Sequence, residues 1–122
     1  MNTYHLLSLC FFLLRAATAV SQSDTAASFA GFIQTQKDQP DSARFAHLND
    51  FAYNMMDQLK FVDAEMAAAE MMELAMATKN ETWKGRTFMT MANVAKVQLN
   101  TTQAVANYQQ AQVTFHKNTL GF

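Results

Sequence analysis

The chain has 122 residues, 9 Lys plus Arg against 10 Asp plus Glu, a net charge of −1, and half of its residues are apolar. That is enough for one domain with a packed core, which excludes a disordered tail, and there is no clustered basic charge of the kind nucleic acid requires. Only 3 Gly and 1 Pro are present, too few turn residues for a β-rich fold, so the expected class is all-α.

The first segment reads as an address. Leu6 to Leu14, LLSLCFFLL, is followed by Arg15 and then Ala17-Thr18-Ala19. The run is too short for a bilayer, which takes about 20 apolar residues. The small-x-small triplet fits a signal-peptidase site. Residues 1–19 are therefore expected to be a signal peptide cut after Ala19, giving an exported chain, periplasmic or secreted, with no stable membrane insertion. Met1 to His5 lacks Lys and Arg, and a buried N-terminal helix is the rival reading. Cys10, the one cysteine, leaves with the signal. The mature chain then has no disulfide, no cysteine nucleophile and no thiolate metal site.

From Ser23 onward apolar residues recur at spacings of three and four, which predicts five helices. Helix one runs from about Thr25 to Lys37, capped by Ser23 or Asp24, with Phe29, Phe32 and Ile33 as its stripe. Asp38-Gln39-Pro40-Asp41 ends it, and residues 20–41 form this helix and its linker. Pro40 suits the start of a second helix, about Ser42 to Asp57. Helix three covers about Val62 to Thr78. Lys79 to Thr82 is a polar loop, with Thr82 as the expected cap of helix four, about Trp83 to Val97. After the turn at Asn100-Thr101-Thr102, helix five runs to about His116. Residues 118–122 form a tail without period. No Gly or Pro separates helices two and three, so one continuous helix from Ser42 to Thr78 is the competing expectation.

An internal repeat argues for the break. Gln58, Leu59 and Ala64 recur as Gln98, Leu99 and Ala104, forty residues on. The same offset pairs Leu48 with Phe88, Phe51 with Met91, Ala52 with Ala92, Met55 with Ala95, Ala68 with Tyr108, and Met71 with Ala111. Large and small residues alternate at fixed places, as they must where two helices approach closely. The set Phe88, Met91, Ala92, Ala104, Tyr108 and Ala111 resembles the tetratricopeptide repeat, and Leu48, Phe51, Ala52, Ala64, Ala68 and Met71 form an earlier copy. The offset of forty departs from that family's 34. Met71 stands where the family is usually small, Ala68 where it is usually aromatic, and His116 where Pro is common. The resemblance covers about Phe45 to Phe115, with a weaker extension to Phe29, and implies that residues 42–117 form a right-handed array of antiparallel helical hairpins, an α-solenoid.

The resemblance also implies a concave groove that takes a protein or peptide. Asn49, Tyr53, Met56 and Asp57 from helix two and Arg86, Met89, Asn93 and Lys96 from helix four would line it. So short an array, with no polar capping helix after it, is expected to self-associate or to meet a larger partner. A structural or oligomerising bundle, coiled-coil-like in its packing, is the alternative. For catalysis there is little. His5, His47 and His116 are scattered, Glu65, Glu70 and Glu73 read as a solvated face, and no cofactor motif occurs. The expectation is a non-enzymatic chain without metal or cofactor. The methionines could offer thioethers to Cu(I), but at repeat-core places such as Met55 and Met71 they read as gap-filling core. Asn80-Glu81-Thr82 and Asn100-Thr101-Thr102 match the glycan acceptor motif.

Overall fold

The computed structural model describes residues 28–120. Helix α1 covers residues 28–36. Helices α2 (Asp41–Asp57), α3 (Phe61–Ala77), α4 (Glu81–Val97) and α5 (Thr101–Leu120) follow, and no strand occurs among the described residues. The signal segment and the caps expected at Ser23 and Asp24 lie outside these residues. So do residues 121 and 122 of the expected tail. The earlier part of that tail is not separate, because α5 continues to Leu120. No Gly or Pro stands between His116 and Gly121 to stop it, and Lys117 in its last turn suits the negative end of the helix dipole.

Helices α2, α3 and α4 each have 17 residues, about 25 Å. Three-residue links, 58–60, 78–80 and 98–100, join them to one another and to α5. Residues forty apart therefore hold equivalent places in two successive hairpins. Each link turns by the same device. The Lys60 amide donates to Met55 O at 2.8 Å and Leu59 to Met56 O at 2.9 Å. Asn80 to Ala75, Lys79 to Met76, Asn100 to Ala95 and Leu99 to Lys96 repeat the pattern. This paired closure needs left-handed backbone at the middle residue, usually glycine. Leu59 (φ 61°), Lys79 (φ 54°) and Leu99 (φ 63°) adopt it here. A continuous helix across Ser42 to Thr78 is thus ruled out, since Leu59 reverses the chain.

The next helix begins at once after each link. Asn80 Oδ1 accepts from the Trp83 amide at 3.0 Å, and Asn100 Oδ1 accepts from the Gln103 amide at 3.2 Å. The expected cap at Thr82 is therefore replaced by Asn80, two residues earlier. Asparagine satisfies an orphan amide of the first turn as well as threonine does.

Alanine sets the helix separations. Ala52, Ala64, Ala67 and Ala92 are fully buried, and Ala68, Ala104 and Ala111 nearly so. Leu48, Phe45, Met71 and Leu74 pack around Ala52 and Ala67, and Phe29 of α1 joins them. Phe32 stacks on Phe51 with ring centroids 4.3 Å apart, and Phe45 on Trp83 at 4.7 Å. Helix α4 packs on α3 and also reaches α2, while α5 packs on α4. Gly85 makes room for the Phe115 ring of α5, because a Cβ there would lie 2.5 Å from that ring. At the forty-residue offset, Phe45 and Ala75 of the first hairpin become Gly85 and Phe115 of the second. Large and small have exchanged helices.

Candidate functional site

The face shared by α2 and α4 holds most of the residues expected to line a groove. It is tied together by a line of side-chain hydrogen bonds. Thr90, buried in α4, donates to Asn49 Oδ1 at 2.7 Å. One turn on, Asn93 Nδ2 donates to the Tyr53 hydroxyl at 2.6 Å. The Tyr108 hydroxyl of α5 donates to Asn93 Oδ1 at 2.5 Å. Asn93 thus bridges three helices through both ends of its amide. Tyr53 and Asn93 are themselves forty residues apart, so the same register position of α2 and α4 meets across the hairpins.

The eight expected lining residues divide. Tyr53, Asp57, Arg86, Met89 and Lys96 are exposed, while Asn49 and Asn93 are half-buried. Met56 is corrected: it is only 4% exposed and packs with Met55, Ala64 and Val94. Helix α2 is covered on two sides, by α3 and by α4, so two adjacent methionines both face inward. Asn49, Asn93 and the Tyr53 hydroxyl are already engaged within the protein, which leaves the Tyr53 ring, Asp57, Arg86, Met89 and Lys96 as the groups this face offers. That set is an aromatic ring, a thioether, two cations and one carboxylate, the ring and thioether suited to apolar and the cations to acidic side chains of a polypeptide.

A concavity lies elsewhere, where helical spacing gives no sign of one. A cleft of about 250 Å³ lies between α3, α4 and α5, with Ala68, Met91 and Val94 in its walls and Glu65, Gln98 and Asn107 at its polar side. Gln98 Nε2 donates to Glu65 Oε1 at 2.7 Å across it. None of the eight residues expected to line the groove lines this cleft. Its residues are dispersed over three helices, so only the tertiary packing assembles it.

Asp63 is a buried charge-bearing side chain, and neither carboxyl oxygen has a hydrogen-bond partner. Burial pushes its pKa up, opposed by the charge of nearby Lys60. Among the described residues no three of His, Cys, Asp and Glu come together as a metal site would need. His47 shares a hydrogen bond with Gln36 at 2.5 Å. The methionines divide like the rest of the core: Met55, Met56 and Met71 are buried, and Met76 and Met89 are exposed. Both acceptor asparagines spend Oδ1 on a helix cap, which leaves Nδ2, the atom a glycan joins, outside that bond. No described helix is long and apolar enough to cross a membrane. No family model, curated protein or solved structure matches the chain.

Proposed function

We propose that the chain is an exported, non-enzymatic helical-hairpin module of tetratricopeptide-like build that binds a protein or peptide partner on the α2/α4 face. The observation that carries this reading is the union of repeat and packing. The alanines at Ala52, Ala64, Ala92 and Ala104, which mark the repeat, are all buried, and links of equal length recur every twenty residues. Successive hairpins stacked in this way leave their first helices side by side, and such arrays use that surface for recognition. Tyr53, Met89, Arg86 and Lys96 form the contact set. The partner is a polypeptide that buries an apolar side chain between Tyr53 and Met89 and sets a carboxylate against Arg86. Export rests on the apolar run and the Ala17-Thr18-Ala19 site. No metal or cofactor is required.

A photo-crosslinking residue at Met89 tests the binding face, with one at Glu73 as control. The expected result is a defined adduct from Met89, lost when Arg86 and Tyr53 are both replaced by Ala. Equal labelling from both positions would overturn the assignment. Sequencing the N-terminus of the exported chain tests the cut after Ala19. The alternative, a structural or oligomerising bundle, is favoured by one observation: Asn49 and Asn93 are committed to internal bonds.

A further inference from the structure

Helix α5 differs from the others in charge. Between Lys96 and His116 there is no Asp, Glu, Lys, Arg or His. The solvent sides of the other long helices carry charge: Asp50 and Asp57 on α2, Glu65 and Glu73 on α3, Arg86 and Lys96 on α4. A solvated helix face is ordinarily charged, whereas the centre of a protein interface is depleted of charge. Val105 and Val113, each about half exposed, stand on this uncharged stretch of α5, which ends before His116 and Lys117.

The exposed stripe is also symmetric. Val105 and Val113 lie four residues either side of Gln109, and Thr102 and His116 lie seven either side. At about 100° per residue all four point within about 40° of Gln109, over a length of about 21 Å. All five residues are exposed. A twofold axis through Gln109, perpendicular to the helix, would therefore place each Val105 on the other copy's Val113. It would also set Gln109 against Gln109, and each amide both donates and accepts, so identical side chains can pair reciprocally. A neutral face meets its own copy without like-charge repulsion. A charged partner would instead bury charges that this face cannot pair.

We propose that α5 is a self-association face on which two copies of the chain pack antiparallel about a twofold axis at Gln109. The proposal does not depend on the α2/α4 face. Residues there, Tyr53 and Met89 among them, lie outside this stripe and stay available to a different partner.

Sedimentation equilibrium of the purified chain at about 10–100 µM, where a micromolar contact is occupied, should give twice the mass of one chain. Gln109→Glu sets two carboxylates face to face at the axis. It should weaken the dimer by more than about a hundredfold, the scale of juxtaposed like charges, with the helical circular dichroism unchanged. Val113→Glu should do the same. Gln109→Lys alone should be a monomer, and an equimolar mixture of Q109E with Q109K should restore the dimer, because only a twofold axis at this position makes residue 109 meet itself. A monomeric wild-type chain would overturn the proposal, whatever else covers α5. So would a dimer that Q109E and V113E leave intact, or charge variants that fail to complement. Crosslinking from Met89 is unaffected by these variants if the two faces are separate, which distinguishes failure here from failure of the binding face.

Discussion

Replacing Gly85 by Ala should destabilise the protein, although a glycine inside a helix is ordinarily a weakness. Alanine gains about 1 kcal/mol of helix propensity over glycine. Against this, the new methyl carbon would sit 2.5 Å from Phe115 Cε1 and 2.8 Å from Cδ1 and Cζ. Three atoms of a rigid ring must retreat by roughly 1 Å to reach ordinary contact, which places the cost toward the upper end of the ~1–3 kcal/mol typical of overpacking. The net expectation is a loss of about 1–2 kcal/mol. With Phe115 replaced by Ala the obstacle is gone, and G85A should then stabilise by about 1 kcal/mol. Urea unfolding followed by circular dichroism, on the two single variants and the double, measures both steps. If G85A is stabilising with Phe115 in place, the α4/α5 approach at this point is wrong.

Leu99→Gly should stabilise by about 0.5–1 kcal/mol, as the relieved left-handed strain exceeds the added freedom of the unfolded chain. Leu99 is 87% exposed, so little packing is lost, and thermal melting reads the change. Asp63 should make stability depend on pH. Its carboxyl is pushed up by burial, so the folded state binds the proton more tightly than the unfolded chain does. The contribution is full below the ordinary carboxylate range and is lost as pH rises through the raised folded value. Asp63→Asn should flatten that decline and raise the melting temperature at neutral pH. An unchanged melting profile from acid to neutral pH would show that the side chain finds water or a partner.

Much of the helical layout was legible because its signals are local. Pro40, the polar run at Lys79 and the Asn100-Thr101 turn interrupt the three-four spacing, and the expected starts and ends of α2 to α4 fall within two residues of those observed. The break at Leu59 carries no local signal, since leucine is not a left-handed residue by preference. It was visible only through its likeness to Leu99, forty residues on. The sequence favours Thr82 over Asn80 as a cap, because Thr82 has an equally good side chain and stands closer to Trp83, yet the Trp83 amide bonds to Asn80. At the candidate binding face, helical spacing put Tyr53, Arg86, Met89 and Lys96 outside but also Met56, because a single apolar stripe cannot express a helix covered on two sides. The bonds of Asn93 to Tyr53 and Tyr108 join three helices, and no pairwise spacing encodes them.

The reversal at each link decides whether hairpins exist at all. Nitroxide labels at Ser42 and Ala77, in a chain whose Cys10 is replaced, measure it by pulsed dipolar spectroscopy. Both positions are exposed, one in the first turn of α2 and the other at the end of α3. Antiparallel packing brings them within roughly 20 Å, given helix axes 8–10 Å apart and the added reach of the labels. The equivalent pair forty residues on, Thr82 and Lys117, should give a similar distance. A peak near 50 Å, the span of an unbroken helix at about 1.5 Å per residue, would contradict the hairpin and the binding face built on it.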